Sequence, residues 1–235
     1  MTKPKLGDRP NAVLRTLSDE DYGIIAPYLK DTSLKFRQKL QSENRNVQEV
    51  FFVESGIASV VAIGGHRQQA EVAIVGNEGL VGLPVVLGVD RSPCEIFMQV
   101  EGEGKCISAD DLDSAIAESR PILRHLLRYV HAFGVQSAYT ALANAHGKLE
   151  ERLCRWLLMA HDRHANGEML LTHEFLALML GVRRAGVTVA LQQLEDKGLI
   201  GTARGMVSVI DRAGLEEGAS GLYGQPEAEF ERLFH

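Results

Sequence analysis

Residues 171–210 constrain the fold more than any other stretch of this chain. Thr172 has the hydroxyl of a helix N-cap, and apolar residues follow at helical spacing to about Leu180. Gly181 then permits a sharp turn, and a second helix is expected from about Arg183 to Lys197. Two helices that cross at a tight turn need a small residue at the crossing, a glycine in the turn and β-branched filling on the second helix. Counted from His173, Ala177 falls fifth, Gly181 ninth and Val187 fifteenth. Leu176, Leu180, Val182, Ala190, Leu191 and Leu194 supply the remaining core. Gly198-Leu199-Ile200 closes the second helix, and residues 201–210 read as a strand, a Gly-bounded turn and a strand. The segment is a winged helix-turn-helix on this reading.

The second helix spends Val182, Val187, Ala190 and Leu194 on its core. Its outer face therefore presents Arg183, Arg184, Ala185, Thr188, Val189 and Gln192. A helix of this size fits a DNA major groove, where arginine can bond guanine O6/N7 and glutamine can bond adenine, each in bidentate fashion. Thr172 and the helix-start amides, with Arg204 in the wing, suit phosphate contacts that fix register without reading sequence. The competing reading is a regulatory module whose winged helix contacts protein instead.

Charge bears on that choice. The chain carries 25 Lys+Arg against 31 Asp+Glu, a formal −6, which speaks against coating nucleic acid indiscriminately. The deficit is uneven. Residues 146–210 hold 8 basic and 7 acidic side chains, whereas residues 211–235 hold 2 and 6. Local positive charge thus sits where the arginines of the second helix lie.

Upstream the texture differs. Val50–Val53, Ile57–Ile63, Ala70–Val75 and Ile96–Val100 are short β-branched or aromatic runs between Gly-containing turns, the pattern of an antiparallel roll, barrel or sandwich. Ser18-Asp19-Glu20-Asp21 is a helix start. A long helix follows Pro121, a residue suited to a first turn. Leu123, Leu126/Leu127, Val130, Phe133/Gly134, Ser137, Thr140/Ala141 and Asn144 then mark a 3–4 alternation along it. That seam suits either an internal core or a second copy of the chain. His146-Gly147 breaks the helix, and Leu149, Leu153, Trp156, Leu157 and Ala160 form one face of the next.

The fold class expected is α+β: an N-terminal antiparallel, jelly-roll-like β-roll over residues 14–118, a long dimerisation helix over 119–145 and a winged helix-turn-helix domain over 146–212. Residues 213–235 form an acidic tail. Cys94, Cys106 and Cys154 lie far apart without C-x-x-C or finger spacing, so neither a disulfide framework nor a zinc site is indicated. His161-x-x-His164 suits a helix C-terminus better than a metal. The longest apolar run, Gly79 to Val89, falls short of the ~20 residues a membrane helix needs. No apolar signal core follows Met1, and a cytoplasmic, non-membrane protein is expected. No P-loop or G-x-S-x-G is present, which leaves no basis for an enzyme.

From about Leu14 to Ile210 the chain resembles the Crp/Fnr family of bacterial transcription regulators. Val50-Phe51-Phe52-Val53-Glu54-Ser55-Gly56 is similar to the family's YxVxSG strand and turn. Gly76-Asn77-Glu78-Gly79-Leu80-Val81-Gly82 is similar to its pGdxxG segment. Residues 172–184 and 194–200 resemble its helix-turn-helix signature, and Arg184 stands where the family carries a guanine-reading arginine. The resemblance implies a homodimer on double-stranded DNA with two-fold-related half-sites, with Leu123, Leu127, Val130, Phe133 and Ser137 on the dimer helix. It also implies RNA polymerase as a partner and an effector in the roll.

Departures from the family limit what carries over. Cyclic-nucleotide members follow the glycine matched by Gly82 with a ribose-binding glutamate, and here Leu83 and Pro84 follow. Arg91-Ser92 stands where the family binds phosphate, with Pro93 in place of a small residue. Gly82, Arg91 and Ser92 are accordingly candidate effector residues, but a cyclic nucleotide is not expected, nor is any other cofactor evident. No cysteine cluster precedes Cys94, which removes the iron–sulfur form. Ala185 and Val189 replace a family glutamate and arginine, so the operator sequence does not carry over.

Overall fold

The computed structural model describes residues 9–65, 68–163, 168–203 and 205–235. The chain begins with two short helices, α1 (Ala12–Arg15) and α2 (Asp19–Ile25). At α2 the Ser18 hydroxyl accepts from the Asp21 amide and three acids occupy the first turn, which favours helix at the positive dipole end. Eight strands follow: β1 (Lys30–Leu34), β2 (Lys39–Gln41), β3 (Glu49–Val53), β4 (Ile57–Ile63), β5 (Gln69–Val75), β6 (Leu80–Val81), β7 (Cys94–Val100) and β8 (Gly102–Ser108). A short helix α3 (Leu83–Val86) sits between β6 and β7. They make two antiparallel four-stranded sheets, ordered β1-β8-β3-β6 and β2-β7-β4-β5. The interior between them is filled with Leu34, Phe51, Val53, Val60, Val81 and Met98.

Four of these strands match the runs expected from sequence. β1, β2 and β8 do not stand out in sequence, for a physical reason. In β1 only Leu34 is buried, and β8 carries Gly102 and Gly104, the second of which lies against the Phe52 carbonyl of β3. Pairing with neighbours, not hydrophobic alternation, makes these segments strands.

Helix α4 (Ala109–Glu118) starts at the Ser108 cap and leads into the long α5 (Arg120–His146). One face of α5 packs on the roll through Ile122, Leu126 and Tyr129. Lower down, the buried Gln136 side chain accepts from the Ile74 amide of β5 (2.8 Å). Helix α6 (Leu149–Arg163) begins the C-terminal domain, followed by β9 (Glu168–Leu170), α7 (His173–Leu180), α8 (Arg184–Asp196), β10 (Ile200–Ala203) and β11 (Met206–Val209). The wing is a three-stranded sheet ordered β10-β11-β9, so β9 joins the expected hairpin as a third strand.

The acidic tail is helical. Helix α9 (Arg212–Gly218) caps on Asp211 and puts Leu215 into the C-terminal core with Leu153 and Leu157. The following α10 (Gln225–Phe234) returns to α5, where Phe234 packs edge-on against the buried His125 ring (5.3 Å). Phe230 and Phe234 stack on each other (4.6 Å). With Leu233 they give the tail an apolar face despite its charge, and burial of that face holds it in place.

The two domains meet at a polar contact under the roll. Trp156 Nε1 of α6 donates to Glu71 Oε1 of β5 (2.6 Å), and Arg163 Nε donates to Glu78 Oε1 (2.8 Å). Glu71 is buried, which raises its carboxyl to about 7, despite the opposing hydrogen bonds from Ser59 and Trp156.

Candidate nucleic-acid interface

The helix-turn-helix is assembled by features that act at single residues. The Thr172 hydroxyl accepts from the Phe175 amide (3.2 Å) and caps α7. Gly181 ends α7 in the left-handed region (φ 62°), where a side chain would be strained. Gly186, on the first turn of α8, faces α6: a Cβ there would lie 3.2 Å from Leu149 Cδ2. The short α7–α8 connection and that close approach set the angle at which α8 leaves the domain. Val187, Ala190, Leu191 and Leu194 bury the inner side of α8 against Leu176, Ala177 and Leu180.

The outer side of α8 is open. Arg183, Arg184, Thr188 and Gln192 are all exposed, and the last three are spaced four apart along one face. Arg183 stands at the N-cap position, and its side chain does not cap the helix, which leaves the guanidinium free of the local backbone. Arg184 Nη1 donates to Glu174 Oε1 on α7 (2.9 Å), and Thr188 Oγ1 lies 2.9 Å from His173 Nδ1. Gln192 Nε2 donates to Asp196 Oδ1 one turn later (3.0 Å). The structure therefore brings Thr172, Arg183, Arg184, Thr188 and Gln192 onto the exposed side of one helix pair. Arg204 falls outside the described residues.

Two positioning residues escape a reading of sequence alone. Glu174 and His173 reach across from α7 to hold the Arg184 and Thr188 side chains. An acid in the first turn of α7, opposite a base in the first turn of α8, is the signal that could have found the first. The exposed Arg184–Glu174 pair is worth little in stability. Its effect is to hold the Arg184 guanidinium toward α7 at the exposed side of the helix pair.

On α5 the seam divides. Leu126 is fully buried and Phe133 is half-buried against the roll core, 6.5 Å from the Tyr129 ring, so these two serve the inside of the chain. Leu123, Val130 and Ser137 are half-buried, while Leu127 (40% exposed), Gly134 and Ala141 are exposed. Helix α10 packs on a different side, where His131 lies 2.8 Å from Glu229. Leu127, Gly134 and Ala141 stay exposed along one stripe, while Leu123 and Val130 beside it pack partly on the roll-side core.

The candidate effector residues are engaged with their own surroundings. Arg91 is exposed and held in bidentate fashion by Asp90 (2.6 and 3.0 Å), and the Ser92 hydroxyl accepts from the Cys94 amide (3.1 Å). Gly82 leads into α3 against Val50 of β3. None of the three lines a cavity described in this structure. Among the described residues, no group of three or more His, Cys, Asp or Glu side chains is placed to hold a metal. No helix among them is long and apolar enough to cross a membrane.

The architecture defines a class: a β-roll joined by a long helix to a winged helix-turn-helix. Residues 151–217 match the Crp-like helix-turn-helix domain. About four fifths of the chain shares its fold with solved regulators. FixK2 from Bradyrhizobium japonicum superposes with a TM-score of 0.70 at 16% identity, covering 80% of this chain and 96% of that one. A CRP-family transcriptional regulator from Thermus thermophilus gives 0.66 at 18% identity, covering 81% and 97%. The c-di-GMP-responsive global regulator CLP of Xanthomonas campestris gives 0.64 at 17% identity, covering 82% and 99%. No curated protein matches the sequence directly. Residues 151–217 carry a Crp-like helix-turn-helix domain, and the chain shares its fold with solved structures of Crp/Fnr-type regulators.

Proposed function

We propose that this protein is a homodimeric, sequence-specific DNA-binding regulator whose two α8 helices enter major-groove segments about one helical turn apart. The single observation that carries the reading is the outer face of α8. It gathers Arg183, Arg184, Thr188 and Gln192, with no buried partner for any of them, at the one place where this domain type meets DNA. Arg184 and Gln192 have the chemistry to read base edges. Arg183, Thr172 and the wing Arg204 suit the phosphates on either side.

The uncovered stripe on α5 is where a second copy would pack. The exposed Leu127 supplies apolar area there, with the uncovered edges of Leu123 and Val130, and the exposed Gly134, Ala138 and Ala141 let the backbones approach. Transcription control then implies RNA polymerase as the downstream partner, and no catalytic step is required of any residue. The apolar Leu83 and the Asp90-bound Arg91 support an effector other than a cyclic nucleotide.

The test is Arg184→Ala in a binding assay over a salt series. Binding to the selected site should weaken by roughly 1–3 kcal/mol and lose preference at one base pair per half-site. Binding to random DNA should change little. Equal weakening on both would make Arg184 a phosphate contact. A salt-independent affinity would transfer the winged helix to a protein partner.

A further inference from the structure

The effector of such a regulator needs a place to bind, and the roll interior is filled by its own side chains. The space in this chain lies elsewhere. A cavity of about 350 Å³ opens where the roll, α5, α6 and the C-terminal segment meet, within the size range of small-molecule sites. Each of the four contributes wall: Glu78 from the roll, Tyr129 and Phe133 from α5, Asp162 and Arg163 from α6, and Phe230 from α10.

The charges in those walls are unequally committed. Glu78 is taken by Arg163 (2.8 Å). Asp162 accepts from Arg212 (2.7 Å) and from the Tyr223 hydroxyl (2.6 Å). Glu227 has one oxygen on the Gly224 amide (2.9 Å), and Glu231 has only His235 nearby, at 3.6 Å. Arg15 is the remaining cation, bound to a single carbonyl at 3.4 Å. The lining thus carries four carboxylates, Glu78, Asp162, Glu227 and Glu231, against the guanidiniums of Arg15 and Arg163, an acidic balance beside the rings of Phe133, Phe230 and Tyr129. Aromatic faces next to carboxylates attract organic cations and gain little from anions.

We infer that this cavity is the effector site, and that it takes a small organic cation, an amine or quaternary ammonium on an aromatic or aliphatic body. The site rests on the regulator reading given above. A molecule held there touches the roll, the dimer helix, the head of the DNA-binding domain and the tail together. It lies against the Arg163–Glu78 contact between domains, so its binding energy differs between arrangements of those domains and shifts their balance. Helix α10 is the cover of the site, which accounts for a charged tail that nonetheless packs.

Calorimetry on the full chain tests the inference with three probes of one shape: 2-phenylethylammonium, 2-phenylethanol and 3-phenylpropionate. The ammonium should bind saturably and at least tenfold more tightly than either other probe. Phe230→Leu, which keeps apolar bulk, and Glu227→Gln, which keeps the helix cap, should each weaken it fivefold or more. Equal or tighter binding of the carboxylate overturns the ligand class, and no saturable binding overturns the site. The same samples are assayed for DNA binding with and without the ammonium. A change of at least threefold supports the effector role, and an unchanged affinity overturns it. DNA binding intact without probe binding removes the cavity inference alone. Probe binding without any DNA binding removes the regulator reading.

Discussion

The two sides of helix α5 are made from the same twenty-seven residues, yet only one is finished. The side facing the roll and α10 carries large groups, Ile122, Leu126 and Tyr129, all nearly inaccessible. It also carries two buried polar side chains with partners on the roll side: His125 Nε2 bonds the Val13 carbonyl (2.8 Å) and Gln136 Oε1 accepts from the Ile74 amide. The opposite side carries Leu127, Gly134 and Ala141, which are exposed among the described residues, flanked by Leu123 and Val130, which are half-buried against the same core. A side whose large apolar groups are buried and whose buried polar groups bond across to other elements is a core. An exposed row of Leu127, Gly134 and Ala141, apolar and then small, is what the proposed pairing with a second copy would cover.

That comparison can be broken in order of effect. Leu126→Ala, on the finished side, should cost about 2–5 kcal/mol, read as a fall in the thermal midpoint. A cost under about 1 kcal/mol would mean the roll face of α5 is loosely packed. Leu127→Glu, one residue away, should leave subunit stability within about 0.5 kcal/mol, as an exposed site does. It should instead abolish the dimer in sedimentation and weaken two-fold DNA binding at least a hundredfold. Unfolding of the variant would place Leu127 in a core after all.

A third experiment concerns the contact between domains. Glu71 titrates near 7 in the folded chain, against 4.5 for the free group, so the folded state holds more protons between those values. Stability should therefore fall as pH rises from about 4.5 to about 7, by at most about 1.4 kcal/mol per pH unit, and level off above. Glu71→Gln should flatten that slope while keeping an oxygen for the Trp156 indole. A slope that survives the substitution would assign it to another group. His125 has the opposite sense. Burial lowers its pKa, so it withdraws stability as pH falls below about 6.5.

How far sequence reached follows from the same physics. The helix-turn-helix was legible because Ala177, Gly181 and Val187 are each dictated by local geometry. The strands β3, β4, β5 and β7 were legible because their apolar runs fill the space between sheets. Strands β1 and β2 were not, since they lie mostly at the surface and are strands by pairing. The seam on α5 was legible as a period but not as a side: Leu126 and Leu127 are equal in sequence, and only the roll decides which is buried. Phe133 turned inward for the same reason. The tail was the hardest, because Phe230, Leu233 and Phe234 are few among acids and their partner surface is a hundred residues away. His173 and Glu174 were missed as positioning residues because their contacts cross the turn.

The central claim is that α5 pairs two copies so that two α8 helices read one piece of DNA. Selecting bound sequences from random DNA with the purified chain tests it most directly. A two-fold-symmetric consensus whose half-sites lie about one helical turn apart is expected. A single unrepeated half-site, or no enrichment at all, would contradict it.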